Sequence, residues 1–317
     1  KFHTKIITTS PKAKIPGAMH IEYDEHRARE IAKEIIKTAI DNFANRKTKG
    51  SVVSDKFPLI AGFSDEYIEY MLGGRWRASY RPLNDAIMQG RIRGVVGLAG
   101  CDNPRVTATG LHRFLAMELI RNDVLIVSTG CGSAACGTAG YLTPETAMEH
   151  AGPGLKEVCE ATGMPPILHL GACVDNSRIL TIASAMAREG GLSDEIGGMP
   201  AVGIAPEWMS EKAIAIGCYF AASGVPVIFG GDSPVGASEE VTKIMTEVWF
   251  ERYMGALHFE PDPEKILKMA LDYIDTARER LKLRKYEPGR FGAERVLMDM
   301  AARRELEKSV KPHQGIS

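Results

Sequence analysis

Pro165 to Arg178 reads P-P-I-L-H-L-G-A-C-V-D-N-S-R. It is a short apolar strand, then two small residues, then Cys173, then a polar turn that opens a helix. The same pattern occurs twice earlier in the chain. Gly94 to Arg105 is G-V-V-G-L-A-G-C-D-N-P-R, with Cys101 at the strand end, and Asp123 to Gly132 is D-V-L-I-V-S-T-G-C-G, with Cys131. Each run is followed by a helical pattern. In a parallel α/β sheet the carboxyl ends of the strands share one edge, and ligands bind in the crevice outside that edge. Three thiols delivered there by three strands can converge on one object.

Outward from these runs the chain alternates strand, loop and helix from Val52 onward. Strands are expected at Phe57–Phe63, Gly94–Ala99, Val124–Ser128, Ile167–Leu170, Ala201–Ile204 and Val225–Phe229. Helices are expected at Val106–Arg121, Ser177–Glu189, Ser210–Ala222 and Glu239–Tyr253. This spacing argues for βαβ units and a doubly wound parallel sheet. Helices are also expected at Asp262–Leu283, where D-P-E supplies an N-cap and a proline at the first helical position, and at Arg290–Val310. Before Val52, Lys14 to Gly17 reads as a turn. His26 to Asn45 reads as an amphipathic helix, with Ile31, Ile35, Ile36, Ala39, Ile40 and Phe43 at helical spacing. The charged stretch R-K-T-K-G-S (Arg46 to Ser51) marks a domain boundary, giving 1–51 and 52–317. One helix with a flanking strand cannot bury its own apolar face, so the opening segment needs a partner.

Composition narrows the function classes. The net charge of −1 over 317 residues argues against nucleic acid, because phosphate binding needs a concentrated basic face. No apolar run approaches the ~18 residues of a membrane span. Six cysteines are too few for a disulfide scaffold in a chain this long, and the start lacks a signal-peptide core. A reducing, cytoplasmic setting is expected, with the cysteines used for metal, catalysis or burial.

Any one of Cys101, Cys131 and Cys173 read alone is a small buried hydrophobe, the commonest role of a free cysteine. Their shared position just past a strand turns the reading toward soft metals and iron–sulfur clusters, for which thiolates are the preferred ligands. No C-x-x-C pair of the zinc type is present. Cys136 is either a further ligand or a core side chain, and Cys159 and Cys218 sit inside helical patterns as core. Gly130-Cys131-Gly132 departs from the G-x-G-x-x-G spacing of a dinucleotide turn. Lys212, just past a strand end, is either a solvated lysine or a cation poised over the crevice, able to stabilise an anion or relay protons. His169 reads as a satisfied core histidine, and His112 is open.

Taken together, G-C-D-N-P-R, S-T-G-C-G-S-A-A-C-G, H-L-G-A-C-V-D-N-S-R and A-P-E-W-M-S-E-K-A resemble the carboxyl-terminal part of the anaerobic nickel–iron carbon monoxide dehydrogenases, from about Ile6 to about Gly255. The resemblance implies a Rossmann-like doubly wound parallel sheet preceded by the tail of another α/β domain. It implies a Ni-Fe-S cluster of the C-cluster type that interconverts CO and water with CO2, protons and electrons. Cys101 and Cys131 would bind cluster irons and Cys173 nickel. Lys212 would hydrogen-bond bound CO2 or a hydroxo ligand, and Ile216 would crowd the CO position. The family's other ligands, a histidine and two cysteines, and its further [4Fe-4S] clusters belong to upstream sequence. No cysteine precedes Cys101 here, so the chain is expected to be a fragment of a longer enzyme, inactive by itself. A homodimer, a ferredoxin-like electron carrier and an acetyl-CoA synthase subunit are the partners the resemblance implies. Two other readings stand beside it. One is a hybrid-cluster enzyme reducing small nitrogen compounds, against which C-V-D-N-S-R and the S-E-K-A lysine argue. The other is a non-catalytic α/β binding module with buried cysteines.

Overall fold

A computed structural model describes residues 5–45, 56, 58–102 and 110–290. The chain forms two compact units, Lys1–Lys56 and Phe57–Ser317. In the first, β1 (Ile7–Thr8) pairs in parallel with β2 (Met19–His20). The helix α1 (Ala28–Asn42) follows, flanked by single 3-10 turns at Glu25–Arg27 and Phe43–Asn45. Asp24 starts it, its carboxylate accepting the His26 amide at 2.9 Å. Along this helix Ile31 is buried, whereas Ile36 and Ile40, and Phe43 in the turn after it, are exposed.

The second unit is built on six parallel strands: β3 (Gly94–Leu98), β4 (Val124–Thr129), β5 (Ile167–Gly171), β6 (Ala201–Ala205), β7 (Val227–Gly230) and β8 (Leu257–Glu260). Their spatial order is β5-β4-β3-β6-β7-β8. The chain winds outward from β3 to β5, returns to the middle, and winds the other way from β6 to β8. This is the order of a Rossmann-type sheet, whose ligand crevice lies at the reversal point, here between β3 and β6.

The helices of this unit are α2 (Asp65–Gly73), α3 (Arg81–Met88), α4 (Gly110–Arg121), α5 (Gly130–Thr138), α6 (Pro144–His150), α7 (Pro153–Thr162), α8 (Ser177–Glu189) and α9 (Glu211–Ala222). After them come α10 (Glu239–Lys243), a π-helical turn at Ile244–Val248, α11 (Trp249–Tyr253) and α12 (Pro263–Arg280). The two faces of the sheet are read off its glycines. A Cβ on Gly94 would lie 2.6 Å from Ile274 of α12, and one on Gly97 would lie 3.4 Å from Ile179 of α8. So α12, packed with α4, covers one face, and α8 and α9 cover the other. With both faces covered, the central strands are apolar throughout, and β3 and β4 are buried at every residue.

Three expectations need correction. Residues 58–63 form no strand. Pro58 lacks an amide proton and Gly62 turns the chain at φ +86°, so no ladder propagates. Instead the amides of Gly62 and Phe63 both donate to the His169 carbonyl, at 2.9 and 3.0 Å, beside β5. The stretch 239–253 is interrupted by its π turn. Strand β8 was not expected at all, being four residues between Gly255 and Pro261. The helix expected over 290–310 lies beyond Arg290 outside the described residues, as do Phe57 and 106–109.

Candidate metal-cluster site

Each of the three strand-end cysteines is held by backbone that its own sequence dictates. After β3 the chain turns through Gly100 at φ +113°, where a Cβ would come within 2.4 Å of the Glu207 carbonyl oxygen. Only glycine fits, and the next amide, that of Cys101, donates to that same carbonyl at 2.8 Å. The Cys101 loop is thereby tied to the segment after β6. After β4, α5 begins immediately at Gly130, at φ +59°, so Cys131 stands in its first turn. A Cβ on Gly130 would lie 3.0 Å from the Cβ of Cys173, which places the Cys131 and Cys173 loops side by side.

The D-N-S-R that follows Cys173 explains its turn. The Asp175 carboxylate accepts the Ala172 amide at 2.8 Å, closing the 3-10 turn Cys173–Asp175. Asn176 is buried and accepts a hydrogen bond from the Thr129 hydroxyl at the end of β4. Arg178 donates to the Leu170 carbonyl at 2.8 Å and pairs with Asp175 at 3.3 Å. The motif is a clamp that locks the Cys173 turn onto the ends of β4 and β5.

After β6, the Trp208 indole donates to the Gly230 carbonyl at 2.7 Å and packs edge-on against Phe229 and Phe259. This fixes the start of α9, whose first turn carries Lys212. The Lys212 ammonium lies 3.8 Å from the Cys173 sulfur.

These residues border one cleft of about 240 Å³. Cys101, Cys131 and Cys173 reach it from the β3, β4 and β5 ends, and Lys212 and Ile216 reach it from α9. Its floor is apolar, with Ile179, Ile204, Phe220 and Phe229. The cleft therefore sits at the reversal point of the sheet, at the carboxyl edge, where the topology puts a ligand. Cys173 is exposed, and Cys101 and Cys131 are half-buried. Among the described residues, no three His, Cys, Asp or Glu side chains gather closely enough to hold one metal ion.

The other cysteines stand elsewhere. Cys136 and Cys159 are buried in the core, and burial pushes each thiol up to about 12. Cys136 packs in the hydrophobic core and does not border the cleft. Cys218 is half-buried on α9 and does not border the cleft, its thiol also pushed up by burial. His169 differs from the expectation: its Nδ1 is buried without a hydrogen-bond partner, and burial pushes the imidazole below its usual range.

Two side chains under the cleft were not singled out as site residues by the sequence. His112 on α4 is fully buried, its Nε2 3.2 Å from the Ala99 carbonyl, and Glu207 is buried with Oε1 3.9 Å from His112 Nδ1. Burial pushes His112 below its usual range, against a smaller opposite pull from the hydrogen bond to Ala99. The sequence signal for Glu207 is its place two residues past β6, inside A-P-E-W-M, where a carboxylate is an unusual neighbour for so apolar a strand end.

Comparison with known proteins agrees with this picture. The family model described as Prismane/CO dehydrogenase family matches residues 1–264. Carbon monoxide dehydrogenase 1 of Methanosarcina mazei is 46% identical over 284 residues, covering 89% of this chain and 44% of its own length. The carbon monoxide dehydrogenase/acetyl-CoA synthase subunit beta of Moorella thermoacetica is 36% identical over 296 residues, 90% of this chain and 44% of its own. Among solved structures, a nickel-free carbon monoxide dehydrogenase from Thermococcus sp. AM4 superposes with a TM-score of 0.81 at 46% identity, over 89% of this chain and 44% of that one. Carbon monoxide dehydrogenase IV from Carboxydothermus hydrogenoformans gives 0.81 at 36% identity, over 89% and 46%. The chain thus spans about 44% of the length of the curated relatives it matches.

Proposed function

Since the chain belongs to the Prismane/CO dehydrogenase family, we propose that it is the part of an anaerobic nickel–iron carbon monoxide dehydrogenase that supplies three thiolates and a lysine to the active-site cluster. The observation that carries this reading is the meeting of Cys101, Cys131, Cys173 and Lys212 on one cleft at the reversal point of the sheet. The donor set suits the group. Thiolates are soft ligands, and three of them bordering one cleft suit a body containing several metal atoms. Cys101 and Cys131 would hold irons and Cys173 nickel. When bound, the Ni-Fe-S cluster supplies the two-electron chemistry CO + H2O ⇌ CO2 + 2 H+ + 2 e−.

The chain's own residues supply what surrounds that chemistry. The Lys212 ammonium borders the same cleft beside Cys173, where its Nζ would donate a hydrogen bond to an anionic ligand or pass it a proton. Ile216, one turn along α9, narrows the cleft beside it and limits what fits to small ligands. The apolar floor of Ile179, Ile204, Phe220 and Phe229 keeps water from the reacting atoms and strengthens the charge of Lys212. The remaining ligands and the electron-relay clusters fall outside these 317 residues in this reading, which also takes a homodimer, a ferredoxin-like carrier and an acetyl-CoA synthase subunit as the partners. The 44% share of the relatives' length supports that division.

The test is the intact protein, purified without oxygen. CO-dependent reduction of a viologen dye, with nickel and iron both retained, is the expected result. A protein loaded with iron and nickel that leaves the dye oxidised under CO would refute the proposal.

A further inference from the structure

Two glycines flank the cluster cysteines, Gly100 before Cys101 and Gly132 after Cys131, and one imidazole occupies the space beside both. A Cβ on Gly100 would lie 3.4 Å from His112 Nε2, and a Cβ on Gly132 would lie 3.2 Å from His112 Cδ2. The ring is completely buried. Its Nε2–H donates to the Ala99 carbonyl, at 3.2 Å, in the last step before the Gly100-Cys101 turn. From the far side that turn is held by the Cys101 amide on the Glu207 carbonyl, at 2.8 Å. His112 comes from α4, an element that carries no cysteine and packs on both β4 and α5. It therefore refers the Cys101 turn and the Cys131 turn to a common support.

We propose that His112 is a positioning residue that sets the separation and orientation of Cys101 and Cys131, and through them the fit of the cluster. The proposal rests on the reading of these two cysteines as cluster ligands. An apolar side chain would fill the same space with no buried nitrogen to satisfy. What the imidazole adds is a directional bond to the carbonyl at the β3 end, and that bond fixes how the following turn presents Cys101. Hydrogen-bonding partners that orient metal ligands typically contribute roughly 10–100-fold to metal affinity, and His112 acts one step further out, through the Ala99 carbonyl and the turn that follows it.

The experiment uses the intact protein, purified anaerobically, with iron and nickel counted per chain and the cluster recorded by low-temperature electron paramagnetic resonance. His112→Leu keeps the volume and removes the donor, and His112→Gln restores a donor of similar reach. The expected result is a folded His112→Leu protein with metal retention lowered roughly 10–100-fold against a chelator and a shifted spectrum. His112→Gln should return both toward wild type. Wild-type metal and an unshifted spectrum in His112→Leu, beside loss of metal in Cys101→Ser, would overturn the proposal while leaving the ligand reading intact. Wild-type metal in both Cys101→Ser and Cys131→Ser would overturn the ligand reading itself and this proposal with it. Should His112→Leu fail to fold, Gly132→Ala presses on the ring at Cδ2, from the Cys131 turn. An unshifted spectrum in that variant would equally overturn the proposal.

Discussion

The cysteines divide by environment, and the division can be read chemically. Cys136 is buried and its thiol is pushed up to about 12, so it is out of reach and little ionised, and only the thiolate attacks an alkylating agent. Cys159 is the same. In metal-free but folded protein, iodoacetamide should therefore label Cys101, Cys131 and Cys173 while sparing Cys136 and Cys159, with mass spectrometry reading the sites. Labelling of Cys136 at the rate of Cys173 would show that the core assignment is wrong. Lys212 is tested differently, because in the proposed reading it holds no metal. Lys212→Ala in the intact enzyme should leave iron and nickel content nearly unchanged and lower turnover by roughly 10²-fold or more, the range of groups that transfer protons in the reaction. Unaltered turnover would make it a solvated lysine.

At the scale of elements, the strand–small–Cys repeat was legible because parallel central strands are apolar throughout and end abruptly in small residues. Three of the six sheet strands follow from it and two more, β6 and β7, from the alternation of strand, loop and helix, and α8 runs over Ser177–Glu189 as read. The edges were harder. Strand β8 has only four residues, two of them His258 and Glu260, so it lacks the continuous apolar run of a buried strand. Residues 58–63 have such a run, but Pro58 and Gly62 forbid a ladder. The candidate site was legible in its thiols and Lys212, which lie close to strand ends in sequence. Its supports were not. His112 and Thr129 act through contacts between separate elements, which no local pattern announces, and Asn176 was legible only as a letter of the C-V-D-N-S-R motif. Gly130 shows how closely such supports are built. Gly130→Ala must place a Cβ at φ +59°, 3.0 Å from that of Cys173. A cost of about 1–2 kcal/mol is expected from the left-handed backbone alone. The variant should melt lower in circular dichroism and also lose cluster, since relief means moving the Cys131 turn away from Cys173. A variant with wild-type melting and full metal would contradict this geometry.

The whole chain offers three thiolates at one sheet edge, and metal binding is coupled to assembling the complete ligand set. Residues 1–317 expressed alone are therefore predicted to hold little nickel and to show no CO oxidation with an artificial acceptor. Ile36 and Ile40 on α1 and Phe43 in the turn after it lie exposed, an apolar row that favours association in the isolated chain. Gel filtration of that chain should show dimers or larger species, and a clean monomer would count against the row as a packing surface. The central claim, that the strand-end cysteines hold a nickel–iron–sulfur body in this cleft, is tested most directly by anomalous diffraction from crystals of the intact protein grown without oxygen. With data on either side of the iron and nickel edges, iron peaks are predicted within bonding distance of the Cys101 and Cys131 sulfurs and a nickel peak at the Cys173 sulfur. Metal peaks elsewhere in the molecule, with this cleft empty and its three thiols unligated, would contradict the account.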